Sequence, residues 1–143
     1  MNGKRLIAAG LAASLLFLVL DALFGVLSGI IGATVFGNPA IQPPMHKQTL
    51  GLLFELINGF MLAVIYAIVH PALPGQGWTK GLSFGLIVWG LRVVMWAFTT
   101  YMLTDMAPIM IGLAVFTGLI EMLIICVVIA AIYRDNETGR DKA

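Results

Sequence analysis

The sequence predicts an all-α integral membrane protein, a four-transmembrane-helix antiparallel bundle with both termini cytoplasmic. Three observations carry that reading. Only 10% of the 143 residues are charged against 60% hydrophobic, with a mean hydropathy of +1.00, whereas a soluble domain carries about 25% charge to cover its surface. The apolar residues are gathered in four long blocks. The basic residues around those blocks fall almost entirely on one side.

The blocks cover about residues 6–31, 50–69, 81–103 and 107–133. Each holds about 20 residues or more, and at 1.5 Å per residue such a helix crosses roughly 30 Å of hydrocarbon. All four are apolar around nearly the whole helix, which disfavours a soluble core with a polar outer face. They are also twice too long, and too uniform, for the alternating strands of a membrane barrel. The chain is expected to form a single membrane domain over residues 1–143.

The first block follows Lys4 and Arg5, a start shared with secretion signals, but it runs past Asp21 to Ile31. A signal core is shorter. Retention as the first membrane helix is expected, with cleavage near Gly32 and Ala33 as the alternative.

Orientation follows from charge. Lys4, Arg5, Lys80, Arg134, Arg140 and Lys142 fall on one side of a four-pass chain, and Lys47 alone on the other. The positive-inside rule then places both termini in the cytoplasm of a bacterial or archaeal plasma membrane, the inner membrane where there are two.

Three connections join the blocks. Residues 32–49 contain the pairs Asn38-Pro39 and Pro43-Pro44, which break regular helix. So long a connection either folds over the mouth of the bundle, meets a partner, or is an ordinary surface turn. In residues 70–80, Pro71, Pro74, Gly75 and Gly77 end the second helix and turn the chain, Trp78 suits the membrane interface, and Lys80 anchors the entry to the third. Residues 104–108, TDMAP, are so few that the third and fourth blocks must be antiparallel neighbours. Thr104 or Asp105 is available there as an N-cap, and Pro108 fits the first turn. The tail from Arg134 reads as a frayed polar end.

Four ionisable residues lie within the blocks: Asp21, Glu55, Arg92 and Glu121. A charge at mid-bilayer costs at least about 2.5–3.5 kcal/mol on insertion scales, so these groups are expected to face protein or water. Arg92 lies about 16 Å beyond Gly81 and Glu121 about 20 Å beyond Pro108, which makes them the leading ion pair by depth. Asp21 and Glu55 share the outer half of the span, with Asn58 between them and Arg92.

Helical spacing puts Ser14, Leu18, Asp21 and Gly25 on one stripe of the first helix, and Glu55, Asn58, Gly59, Leu62 and Tyr66 on one of the second. Trp89, Arg92, Val93 and Trp96 share a side of the third, as do Thr117, Gly118, Glu121 and Ile125 of the fourth. Asp21, Glu55, Asn58, Arg92 and Glu121 are therefore the candidate ligand- or proton-binding residues. Trp89, Trp96, Tyr66 and Thr117 are candidate supports, and either tryptophan could face Arg92 as a cation–π partner or simply fill the core. Gly25xxxGly29, Ser28xxxGly32 and Gly81xxxGly85 are weak close-packing motifs.

Other chemistries find little footing. Cys126 has no partner for a disulfide or redox pair and reads as a small packing residue. His46 falls in the outer connection and His70 at the inner end of the second helix, which disfavours a shared haem or a compact metal site. No cofactor or metal is expected, no basic patch suits nucleic acid, and no catalytic motif marks an enzyme.

Two function classes stay open. In one, a small homo-oligomeric protein uses the Asp/Glu/Arg centre to carry protons, a small ion or a polar solute, since three carboxyls beside one arginine favour a proton-bearing form. In the other, an accessory or structural subunit uses the same charges to fix helix packing and meets a partner membrane protein. Membrane lipids are partners in both.

Overall fold

The computed structural model describes residues 3–36 and 45–133. They form α1 (Gly3–Phe36), α2 (Met45–Val69), a 3-10 turn (His70–Ala72), α3 (Trp78–Trp89), a π-helical turn (Gly90–Val94), α4 (Met95–Leu103) and α5 (Pro108–Tyr133). Among the described residues there is no strand. Four spans, Gly3–Ile31, Thr49–Ala72, Trp78–Leu103 and Pro108–Tyr133, are long and apolar enough to cross a membrane. The third joins α3, the π turn and α4 into one continuous helix.

Two boundaries differ from the hydropathy blocks. α1 runs five residues past Ile31, through GATVF, and α2 starts five before Leu50, in the more polar MHKQT, because a nucleated helix propagates at little cost beyond its apolar block. The remainder of the expected long connection, residues 37–44, and the tail from 134 lie outside the described residues.

Chain direction shows in the contacts. The Ser14 hydroxyl reaches the carbonyls of Gly10 at 2.9 Å and Leu56 at 2.8 Å, and Gly10 lies under the Phe60 ring. Numbering falls along α2 as it rises along α1. Likewise Gly81 faces Cys126, Val127 and Ala130, Gly85 faces Met122, and Gly118 faces Val93, so α5 runs opposite to the third span.

Small residues make these approaches. In hydrocarbon, helices gain nothing by hiding apolar surface from lipid, and cohesion depends on close packing. A Cβ at Gly59 would collide with the backbone of Ser14, and one at Gly81 would sit 2.8 Å from the Cys126 carbonyl. Large side chains such as Leu15, Leu23, Ile57, Ile68 and Leu91 are instead exposed at the outside of the bundle.

The packing is lopsided. Every member of the core cluster, from Ala9, Ala13 and Phe17 through Leu62, Ala63, Tyr66 and Phe84 to Met122, Cys126, Ile129 and Tyr133, lies toward the end that holds the start of α1 and the 70–77 connection. At the opposite end, a Cβ on Gly25, Gly51 or Gly112 would touch nothing within 4 Å. Packing is therefore densest at one end, and at the other the flanks of α1 and α2 are open while Ala97 on α4 and Ile111 on α5 remain buried.

The held end is closed by rings. Tyr66 stacks edge-on against Phe84 at 5.3 Å and Tyr133 at 5.9 Å, and His70 meets Tyr133 at 5.3 Å. Beyond them Gly75 and Gly77 take positive φ, conformations only glycine adopts without strain. The Thr79 hydroxyl accepts from the Gln76 amide at 2.8 Å and donates to the Gln76 carbonyl at 2.7 Å, fixing the entry to α3. At the opposite end Thr104 donates to the Thr100 carbonyl at 2.7 Å. It therefore caps the end of α4 and does not serve α5, which begins at Pro108.

Candidate functional site

The polar residues collect where the densely packed half of the bundle gives way to the more open half. Arg92 supplies the positive charge, from the middle of the π turn Gly90–Val94. Such a turn inserts an extra residue into a helix, shifts the side chains that follow, and recurs at functional sites. On either side the helix is pinned to α5. The Trp89 indole N–H donates to the Val115 carbonyl at 3.0 Å, and the Val93 side chain comes within 2.8 Å of a Cβ placed on Gly118. Between those two anchors the guanidinium is carried toward α1, where it lies 5.0 Å from the centre of the Phe17 ring.

The acids come from the other three helices. Asp21 on α1 lies within side-chain hydrogen-bonding reach of both Glu55 on α2 and Glu121 on α5. Arg92 acts on Glu55 and Glu121 through its charge. Arg92 thus acts on Glu121 as expected from depth, while Asp21 stands near the same carboxyl and the guanidinium covers Phe17. Phe17 and Asp21 are four residues apart, one turn along the same face of α1, so one stripe delivers both the ring and the carboxyl.

Enclosure is only partial. Glu55, Arg92 and Glu121 are half-buried, while Asp21 is exposed on the isolated chain. The interior polar centre expected for these charges is therefore buried only in part, and the cluster is open at Asp21 on the α1 side.

Three buried polar atoms at the site have no hydrogen-bond partner: Oε2 of Glu55, Nδ2 of Asn58 and Nη1 of Arg92. Asn58 is only 6% exposed. It shares with Arg92 the polar end of a cleft of about 570 Å³ between α2 and α3, whose walls are otherwise apolar. The cleft exists because α2 packs on α1, α3 packs on α5, and α2 makes little direct contact with α3.

The candidate supports divide. Trp89 positions the π turn through its bond to Val115. Trp96 is 48% exposed, and the ring that Arg92 covers belongs to Phe17. Thr117 spends its hydroxyl on its own helix, 3.0 Å from the Leu113 carbonyl. Tyr66 is buried in the ring cluster at the held end. Gly81 and Gly85 pack as their motif implies, whereas Gly25 has an open flank.

Phe17 and the π turn were not singled out from sequence. Phe17 was legible only as one apolar residue among many, although its spacing from Asp21 is a usable signal. Gly90 alone hints at the turn. Among the described residues, no three His, Cys, Asp or Glu side chains are placed to hold a metal ion. No protein-family model, curated protein or solved structure matches the chain.

Proposed function

We propose that this chain is a small inner-membrane protein in which Asp21, Glu55 and Glu121 exchange protons beside Arg92, allowing an assembled homo-oligomer to pass protons or a small polar species. The observation that carries the reading is the reach of Asp21 to both glutamates. Ionised carboxylates are acceptors only, so a hydrogen bond between two carboxyls needs a proton to fill it. A carboxyl able to bond in two directions offers that proton two positions, the elementary step of a relay.

The exposure of Asp21 supports an assembly. An ionisable group at the level of an apolar span must face protein or water, and a second copy of the chain supplies either a covering surface or a shared water-filled path. The basic residues favour cytoplasmic termini and an antiparallel four-pass arrangement.

The competing reading, an accessory subunit with charges that fix packing, calls for a fully satisfied network, since partly satisfied buried networks weaken a fold. The partnerless atoms of Glu55, Asn58 and Arg92 count against it. Proteoliposomes under an imposed pH gradient distinguish the two. Proton flux that is lost in Glu55→Gln and Glu121→Gln supports the relay, and absent flux with stable co-purification of another membrane protein supports the subunit.

A further inference from the structure

We propose that Glu55 is a two-position carboxyl that gates the acid cluster: bearing a proton it turns to Asp21 on α1, and once ionised it turns to Arg92 and Asn58, fastening α2 to the third span. This gate rests on the proton-exchange reading for its Asp21 side, and its test reads the position of a side chain instead of flux.

The three partnerless atoms form a matched set. Oε2 of Glu55 is an acceptor, whereas Nη1 of Arg92 and Nδ2 of Asn58 are donors. A carboxylate oxygen has two lone pairs, so the one acceptor can take both donors. All three atoms are closed to solvent. Their partners therefore have to come from the interior of the protein, and each supplies what the others need. Glu55 and Asn58 are three residues apart, neighbours on one face of α2. Arg92 is near enough to act on Glu55 through its charge, and it stands with Asn58 at the same end of the α2–α3 cleft.

Asp21 is what draws Glu55 the other way. At this level α1, α2, the third span and α5 contribute one charged group each: Asp21, Glu55, Arg92 and Glu121. The Asp21 carboxyl is within hydrogen-bonding reach of both glutamates, and two carboxyls bond only while they hold a proton between them. In the relay step Glu55 gives its proton to Asp21, and Asp21 hands one on to Glu121. Asp21 and Glu121 then share the proton, while Glu55 and Asp21 are both ionised and repel. The freed carboxylate has the guanidinium and the amide as its remaining interior donors.

Glu55 is the part that moves. The guanidinium lies over Phe17 at 5.0 Å, and the turn that carries it is anchored to α5 on both sides through Trp89 and Val93. The glutamate needs only to rotate its side-chain torsions between staggered wells, with α2 in place. Since α2 and α3 otherwise make little direct contact, the ionised form adds a bond that joins α2 to the third span beside the cleft.

The test is solid-state NMR on the full chain in nanodiscs with 13C-glutamate and 15N-arginine, reading dipolar dephasing of glutamate Cδ by arginine Nη at about pH 5 and about pH 9, which bracket carboxyl titration at a buried site. The Glu55 signal is identified by its loss in Glu55→Gln. Its dephasing should be at least twofold stronger at the higher pH, and should persist there in Glu121→Gln. Asn58→Leu, which removes the second donor, should cut the high-pH dephasing at least twofold. Folding is checked by size exclusion and circular dichroism, and Asn58→Ala replaces Asn58→Leu if that variant does not fold. Equal dephasing at the two pH values, none at either, or no change on removing the Asn58 amide overturns the proposal. Proton flux in proteoliposomes without this change would refute the gate and leave the relay standing, whereas the change without flux would refute the relay and leave the gate.

Discussion

The guanidinium of Arg92 lies 5.0 Å above the ring of Phe17, itself fully buried, so the cation carried by the third span rests on an aromatic face supplied by the first. Cation–π contacts are worth about 0.5–1 kcal/mol when exposed and about 2 or more when desolvated. A thermal-unfolding double-mutant cycle of Phe17→Leu and Arg92→Met in nanodiscs should give a coupling of about 1–2 kcal/mol. Strict additivity would mean that the two groups are neighbours without interacting.

The fit of Gly59 against Ser14 leaves no room for a side chain. Gly59→Ala should destabilise the protein by about 1–3 kcal/mol, the usual range for overpacking, through separation of α1 and α2. Gly25→Ala, on an open flank, should change thermal stability by less than about 0.5 kcal/mol. Similar losses at both sites would contradict the lopsided packing.

Trp89→Phe keeps most of the ring and removes the donor to Val115. A hydrogen bond between membrane helices averages about 0.6 kcal/mol, so stability should fall by about that amount. The larger effect should fall on Arg92, because the bond anchors one side of the π turn. If that anchoring holds, Trp89→Phe also lowers the Phe17–Arg92 coupling in the same cycle.

Asp21 joins Glu55 and Glu121 into one cluster, so substitutions there should not add. Glu55→Gln and Glu121→Gln combined should depart from the sum of their separate effects on stability by about 0.5–3 kcal/mol, the range for residues in a shared network. On an Asp21→Ala background the departure should shrink toward zero. Its survival without Asp21 would show that the glutamates communicate by another route.

The four spans were legible in the sequence because hydropathy reports length and solvent directly. The held arrangement of α3 on α5 was legible too, from the shortness of residues 104–108 and from Gly81 and Gly85. What the sequence obscured was rotation about the helix axes. When nearly every face is apolar, a stripe through Leu18 and one through Phe17 read alike, and only packing reveals that Phe17 is buried. The depth argument brought Arg92 and Glu121 to neighbouring levels, yet depth alone could not show that Asp21 joins them or that Arg92 also rests on a ring. The π turn is hidden for a related reason: no proline marks it, and the contacts that flank it, to Val115 and Gly118 of α5, are tertiary. Orientation in the bilayer depends largely on residues outside the described segments, such as Arg134, Arg140 and Lys142.

Packed along its first half and open along its second, α1 has the form of a long arm rooted near Ser14. From the Ser14–Gly59 contact to Phe36, α1 extends about 33 Å at 1.5 Å per residue. A tilt of about 5° at that pivot would swing its far end by about 3 Å, while the rings around Tyr66 would hardly move. Bilayer thickness and lateral pressure, acting on the long arm, would therefore change the spacing around Asp21 far more than they disturb the hinge.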